Sequence, residues 1–149
     1  MREISRSALV PYSDAQMFAL VADIEAYPQF LPWCSDAAII ERDAQSVTAS
    51  LELVKAGVHE RFTTRNLLSP PQRMHMQLVS GPFKTLDGIW VFTPIQDRGE
   101  DKGARIDLTM RFEFANPVLG LLLSRSFEAS CNSLVDAFTQ RARAVYGAK

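Results

Sequence analysis

The clearest structural signal in the chain is a strict alternation of apolar and polar residues between positions 104 and 114. This is the period of a β-strand with one face buried and the other in water. Looser versions of the same pattern, separated by turn residues, predict further strands. The predicted strands are 3–10, 36–43, 46–56, 58–68, 72–79, 84–93 and 104–114, with a long surface turn over 96–103.

Two segments have helical spacing instead. The sequence Ser-Asp-Ala-Gln at 13–16 is a capping box, and the apolar residues of 17–24 fall on one helical face. This first helix must stop before Pro28. Residues 117–146 carry a continuous apolar stripe, which predicts one long terminal helix capped by Asn116.

The order of these elements predicts an α+β fold in a single domain, 1–149. A curved antiparallel sheet of about seven strands must cover its apolar face, and only the long C-terminal helix can lie across it. Short helices are expected after the first strand. A curved sheet wrapped around one helix leaves a gap between the two, so we expect an apolar cavity there.

Charge and composition narrow the classes of function. Sixteen basic and seventeen acidic residues leave a net charge of −1, so we expect no DNA partner. No apolar run is long enough to span a bilayer, and the first residues lack the apolar stretch of a signal peptide. The two cysteines lack metal-site spacing and are expected as free thiols. The expected location is cytoplasmic, with peripheral contact at the inner face of the membrane left open.

The segment 27–34, Tyr-Pro-Gln-Phe-Leu-Pro-Trp-Cys, is unusually apolar for a connection between elements. Its prolines fix φ and remove amide donors, which excludes a long helix or a central strand. An irregular segment carrying Phe30, Leu31 and Trp33 must cover either the core or the mouth of an apolar cavity. In the second case it would act as a gate that seals a ligand from water.

The inward faces of the predicted strands leave open whether the interior is a dry core or a lined cavity. Thr64 and Asn66 share a face with Phe62, and a buried amide needs a partner. Asn66 either bonds a neighbouring backbone group or, with Thr64, orients a ligand in a mostly apolar pocket. Gly88 beside Trp90 leaves room, as do the small residues in the middle of the terminal helix.

The sequence offers little for catalysis. The two histidines, His59 and His75, fall on the outward faces of their predicted strands. Ser130, Cys131 and Ser133 have no base within the helix to activate them. Paired carboxylates, a phosphate-binding glycine loop and a metal cluster are not evident. We therefore expect a protein that is not an enzyme, with no metal site and no required cofactor.

Short motifs run in order along nearly the whole chain. They are ISR at 4–6, ALVPYS at 8–13, YPQFLP at 27–32, KAG at 55–57, FTTRN at 62–66, GPFK at 81–84, FEF at 112–114 and AF at 137–138. In these motifs the chain resembles the bacterial ribosome association toxin family, whose relatives include the mitochondrial coenzyme Q-binding proteins. Both lie within the START-like (polyketide cyclase and lipid-transport) superfamily.

The resemblance implies a helix-grip fold with an apolar tunnel under the terminal helix. It also implies partners: an apolar small molecule or lipid, of which bound ubiquinone is the leading case, in support of respiratory quinone function. The first alternative is a toxin-like factor that binds the large ribosomal subunit and blocks subunit association. The second is an enzyme like the aromatic polyketide cyclases. The identity of the ligand and the oligomeric state stay open.

Two sets of candidate residues follow. The ligand-binding candidates are Phe30, Leu31, Trp33, Phe62, Thr64, Asn66, Met76, Phe83, Leu86, Trp90, Met110, Phe112, Leu123 and Phe127. The candidates for ribosome contact are the cations Arg61, Arg65, Lys55 and Lys84, of which the two arginines share the wet face of one strand. Cations on one strand face could contact phosphates. The basic side chains of a solvent-exposed strand face are, however, commonly paired with neighbouring acidic side chains.

Overall fold

The computed structural model describes residues 2–55 and 57–148 and confirms the predicted seven-stranded antiparallel sheet. The strands lie in the order β1-β7-β6-β5-β4-β3-β2, so β1 and β2 form the two edges. Their bounds are β1 Arg2–Val10, β2 Cys34–Arg42, β3 Ser46–Lys55, β4 Val58–Ser69, β5 Arg73–Ser80, β6 Phe83–Asp97 and β7 Glu100–Phe114. The predicted end of the third strand at Ala56 lies outside the described residues.

The helical region after β1 begins as predicted. Helix α1 spans Asp14–Ala22, and its capping box is formed: Ser13 Oγ accepts from the Gln16 amide at 3.1 Å and Gln16 Oε1 from the Ser13 amide at 2.9 Å. A 3₁₀ helix, Ile24–Gln29, follows and includes Pro28. The prediction that 27–34 is wholly irregular was therefore wrong for its first residues, because a single tight turn tolerates a proline that a long helix does not.

The C-terminal helix is not continuous, which corrects the predicted single helix over 117–146. Helix α2 spans Pro117–Asn132 and helix α3 spans Leu134–Tyr146. At the break, Ser133 donates its hydroxyl to the Ser130 carbonyl at 2.9 Å, and its amide is shared between two carbonyls of the preceding turn. Serine and asparagine side chains compete with the backbone for hydrogen bonds, so a cluster of them is a weak place in a helix.

The predicted surface turn over 96–103 was also wrong. Strands β6 and β7 continue past the core as a hairpin, pairing Gln96 with Asp101 and Asp97 with Glu100. The turn itself is Arg98-Gly99, both with positive φ, as expected for a tight hairpin turn between twisted strands. This extension carries polar residues on both faces. It therefore lacks the alternation of apolar and polar residues by which a half-buried strand is predicted.

The sheet wraps around α2. This helix contacts β1 and β7 at one side of the sheet and β3 towards the other, which only a strongly curved sheet allows. The apolar face of β7, from Ile106 to Phe114, is buried as predicted. Helix α3 packs against α1 and β1. The junction of α2 and α3 therefore lies over the concave face of the sheet.

Candidate ligand-binding cavity

A small cavity of about 50 Å³ lies between the concave face of the sheet and the junction of α2 and α3. Strands β3 to β7 provide its floor, and the helices and the end of the 27–34 segment provide its cover. Its lining among the described residues is Tyr27, Trp33, Leu51, Phe62, Thr64, Met76, Leu86, Gly88, Trp90, Met110, Phe127, Ser130, Cys131, Leu134 and Phe138.

The cavity is apolar with a few neutral polar groups. None of these described lining residues carries a charged side chain. The Thr64 hydroxyl donates to Asn66 Oδ1 at 3.1 Å, and the Tyr27 hydroxyl donates to the Val21 carbonyl. The hydroxyl of Ser130 is buried and has no hydrogen-bond partner among the described residues. A ligand with a polar edge would therefore find one free hydroxyl and two that are already engaged.

Burial keeps the ionisable groups of the cavity neutral. It raises the pKa of the Cys131 thiol to about 12, with the nearby Glu128 charge acting in the same direction. Burial also raises the pKa of Tyr27 far above its ordinary value. At neutral pH both groups hold their protons, so the thiol is a small apolar wall element and a weak nucleophile.

One wall of the cavity is formed by side chains that can change conformation. Gly88 faces two methionines, and a Cβ added there would lie 2.5 Å from Met110 Sδ and 2.5 Å from Met76 Cε. Glycine is thus required for the close approach of these side chains in their present positions. Methionine is unbranched and readily changes rotamer, so Met76 and Met110 can move aside and enlarge the cavity.

The 27–34 segment is tied to α3 above the cavity. The Phe30 ring packs edge-on against Phe138 at 5.1 Å between centroids, and the Arg141 guanidinium lies 5.0 Å over the Phe30 ring. Arg141 also donates to Gln29 Oε1 at 2.8 Å. Trp33 is fixed on the other side, because its carbonyl accepts from the Val54 amide at 2.8 Å. The segment therefore bridges α3 and β3 and covers the cavity.

The structure brings most of the candidate ligand residues to this cavity. Those that line it are Trp33, Phe62, Thr64, Met76, Leu86, Trp90, Met110 and Phe127. The lining does not include Phe30, Leu31, Asn66, Phe83, Phe112 and Leu123. Asn66 is outside the lining and accepts a hydrogen bond from the lining residue Thr64. Phe83 and Phe112 pack with Phe127 in an aromatic cluster. Contact of any of these side chains with a ligand stays a prediction.

Sequence reasoning left other lining residues off the candidate list. They are Tyr27, Leu51, Gly88, Ser130, Cys131, Leu134 and Phe138. The helical stripe includes Cys131, Leu134 and Phe138, whereas neither strand alternation nor that stripe identifies Tyr27 or Ser130. A long tunnel, which the resemblance implies, is absent from the described part of the chain; its place is taken by this much smaller space.

The cations proposed for ribosome contact lie on the outer face and at one end of the sheet, and two of them are paired. Arg61 binds Asp36 at 2.6 Å and also donates to Ser50 Oγ at 2.7 Å. Lys84 lies 3.7 Å from a Glu113 carboxylate oxygen. Arg65 is exposed and Lys55 half-buried, and neither forms an ion pair with a described residue.

The two histidines are on the outer face, as predicted. His75 contacts Asp87 at 2.7 Å and His59 lies 3.6 Å from Glu52. Neither belongs to the described lining of the cavity. The described lining therefore includes no histidine.

A curved seven-stranded sheet gripping a C-terminal helix, with an apolar cavity between them, defines a START-like helix-grip protein. Residues 10–139 match the family described as polyketide cyclase/dehydrase and lipid transport, and the chain belongs to that family. The match covers most of the fold, from the end of β1 into α3.

Three known proteins show what this chain is similar to. The ribosome association toxin RatA of Escherichia coli is 45% identical over 149 residues, covering 100% of this chain and 92% of the relative. The mitochondrial coenzyme Q-binding protein COQ10 homolog B of Xenopus laevis is 28% identical, covering 97% of this chain and 59% of its own length. The crystal structure of the Zhui aromatase/cyclase from a Streptomyces species superposes with a TM-score of 0.76 at 16% identity, covering 99% of each chain.

Proposed function

We propose that this protein binds an apolar ligand of the isoprenoid-quinone type in the cavity, without transforming it. The observation that carries the proposal is an uncharged, aromatic-lined cavity whose lining includes Thr64 and Ser130, where the buried Ser130 hydroxyl has no hydrogen-bond partner among the described residues. A buried hydroxyl without a partner is costly, and a quinone carbonyl is an acceptor that would relieve that cost. The name of the Xenopus relative, a coenzyme Q-binding protein, supports the same ligand class.

The present cavity must enlarge to hold such a ligand. Its volume is about 50 Å³, whereas a cavity that accepts benzene measures about 150 Å³. Displacing the flexible ends of Met76 and Met110 opens the space in front of Gly88, where both side chains now lie. The break between α2 and α3 at Ser133 is the second place where the cover can shift.

Apolar burial would supply most of the affinity. Each buried methylene contributes about 0.8 kcal/mol. A ring and tail that bury several such groups therefore outweigh one neutral hydrogen bond, which contributes about 1 kcal/mol. A quinone head would be oriented by Ser130, and by Thr64 once its hydroxyl turns its proton from Asn66 Oδ1 to a quinone carbonyl. The ring and tail of the quinone would make the apolar contacts. Non-catalytic binding agrees with the absence of charged groups in the described lining and with a Cys131 thiol whose pKa is about 12.

Titration of a short-tail quinone tests this function. Thr64→Val should weaken binding by up to about tenfold, because it removes a hydroxyl from the cavity at nearly constant volume. Thr63→Val is the matched control, since Thr63 is the adjacent residue on the opposite face of β4 and does not belong to the described lining. Asn66→Leu should have a smaller effect, through the lost partner of Thr64.

Lipid mass spectrometry of the purified protein identifies the natural ligand. A quinone that co-purifies with the wild type and is reduced in Thr64→Val is the expected result. If wild type and Thr64→Val bind the quinone equally, the polar contact is assigned wrongly. If neither binds any quinone, the proposed function is contradicted and ribosome association becomes the leading candidate.

Association with the large ribosomal subunit is the second candidate function. It is favoured by the 45% identity to a protein named as a ribosome association toxin over the whole of this chain. The exposed Arg65 and the neighbouring Arg61 would contact phosphates on the subunit. The two functions use opposite faces of the sheet and are therefore separable by mutation.

A further inference from the structure

The first two turns of α2 expose an unusual amount of apolar surface. Leu121 is 89% exposed, Val118 63% and Leu122 56%. They follow one another at the spacing of a single helical face, and the next residue of that face is Arg125, which is also exposed. The opposite face of the same helix, with Leu123 and Phe127, is buried against the sheet.

A surface helix of a globular protein ordinarily carries polar residues on its outer face. Here the beginning of α2 is apolar on both faces, and we call Val118, Leu121 and Leu122 the α2 patch. These three aliphatic side chains contribute little to the stability of the fold, because each keeps more than half of its accessible surface in water. Such a patch marks a surface that something else covers.

Cations lie at the end of the sheet where α2 begins. The turns before β4 and β6 and the connection before α2 all lie at the same end of the antiparallel sheet, and the Ala115 amide binds the Pro82 carbonyl at 2.9 Å. Lys84, 73% exposed in its side chain, follows that turn and lies 3.7 Å from a Glu113 carboxylate oxygen, and Lys55 ends β3 at the same end. Arg125 and Lys55 form no ion pair with any described residue.

We propose that the α2 patch inserts into the interfacial region of a bilayer rich in anionic lipid, with Arg125, the next residue of the same helix face, against the lipid phosphates. An apolar helix face flanked by cations is the arrangement that binds such interfaces. In the described part of the chain, no helix has both the length and the apolar character needed to cross a membrane. Three aliphatic side chains are too few for a stable protein interface, which buries about 800 Å² per partner.

Vesicle sedimentation tests the proposal directly. Wild type should bind vesicles of phosphatidylcholine and phosphatidylglycerol in equal parts, and Leu121→Ser/Leu122→Ser should weaken that binding at least about tenfold. Arg125→Ser should weaken it about fivefold, and only on the anionic vesicles. The matched control is Leu9→Ser/Ile40→Ser, which removes two other exposed aliphatic side chains, 72% and 61% exposed, from the opposite end of the strands.

Site-specific labelling shows where the bilayer is contacted. An environment-sensitive dye on Leu121→Cys should shift to the blue with anionic vesicles, and the same dye on Leu9→Cys should not. Both native cysteines are buried and will not compete for the dye. Failure of the wild type to bind anionic vesicles, or equal binding by the Leu121→Ser/Leu122→Ser variant, overturns the proposal.

Two further measurements distinguish membrane insertion from self-association and from quinone binding. If the wild type self-associates in solution and the Leu121→Ser/Leu122→Ser variant does not, the α2 patch is a protein interface and the proposal is overturned. Quinone titration without vesicles should be equal for that variant and the wild type. A wild type that binds vesicles but no quinone therefore contradicts the proposed ligand and supports the membrane-binding role of the α2 patch.

Discussion

Ser130 is the residue at which stability and binding are most clearly opposed. Its hydroxyl is buried, lines the cavity and has no hydrogen-bond partner among the described residues. A helical serine usually satisfies its hydroxyl by bonding a carbonyl of the preceding turn. Leaving it unsatisfied costs about 1–3 kcal/mol of stability. A functional role would explain why this helix keeps a serine where alanine would pack better.

Ser130→Ala should therefore raise the free energy of unfolding by about 1 kcal/mol while it weakens quinone binding by up to about tenfold. Denaturant unfolding and quinone titration measure the two effects. Ser124→Ala, at a half-buried position of α2 outside the described lining, controls for the higher helix propensity of alanine. Stability and affinity that both fall would show that the hydroxyl has a structural partner instead.

The buried thiols make a pH-dependent contribution to stability. Burial raises the pKa of Cys34 to about 11 and that of Cys131 to about 12, from an ordinary value of 9.0. The folded protein thus keeps these protons at a pH where the unfolded chain has lost them. Their contribution is present in full below about pH 9 and is lost as the pH rises towards the folded values.

We expect the free energy of unfolding to fall more steeply between pH 9 and pH 11 for the wild type than for Cys34→Ala/Cys131→Ala. The comparison cancels the effects of lysine and tyrosine residues, which both proteins share. Chemical denaturation at a series of pH values is the measurement. Parallel curves would mean that the thiols are accessible to water in the folded state.

At the scale of elements, the 27–34 segment links the two halves of the cover. Phe30 and Gln29 contact α3 through Phe138 and Arg141, while Trp33 is hydrogen bonded to β3. Gln29 and Phe30 are exposed and half-buried, whereas Tyr27, Leu31 and Trp33 are buried in the core. The part of the segment around Phe30 can therefore open at the least cost to the rest of the fold.

Phe30→Ala should speed the release of bound quinone more than it lowers stability. Phe30 is only half-buried, so its loss should cost less than the about 3–5 kcal/mol of a core phenylalanine. Phe114→Ala, in the aromatic cluster and outside the described lining, should show the reverse: a large loss of stability with unchanged retention per folded molecule. If Phe30→Ala unfolds the protein and retention by the folded fraction is unchanged, the segment is core and not a gate.

Periodicity predicted the elements well where one face is buried and poorly where that condition fails. All seven strands and the capping box at Ser13 were predictable, because burial imposes alternation and capping imposes residue types. The break at Ser133 was hidden because the apolar stripe of α2 continues in phase into α3. The hairpin extension around Arg98 was hidden because backbone pairing alone forms it, with no buried face.

At the scale of the whole molecule, the sequence predicts which side chains point inward but not where the interior is empty. Thr64, Met76 and Trp90 were correctly placed facing inward, yet Phe83 and Phe112 share that direction and fill an aromatic cluster instead. A void depends on how side chains from distant elements interdigitate, which no local pattern records. The outer, convex face of the sheet, by contrast, carries charged side chains, which point away from the cavity.

Ribosome binding through that convex face should depend steeply on salt, because each phosphate contact releases a counterion. Arg61→Ser/Arg65→Ser should lower the slope of log affinity against log salt concentration by about two without changing quinone affinity. Arg105→Ser/Arg111→Ser is the matched control, since both arginines lie on the outer face of β7 and bind Asp107 and Glu3 at 3.1 Å. Co-sedimentation with large ribosomal subunits over a salt series measures the slopes. A wild type that does not co-sediment, or a slope lowered equally by the control, would contradict contact through this part of the face.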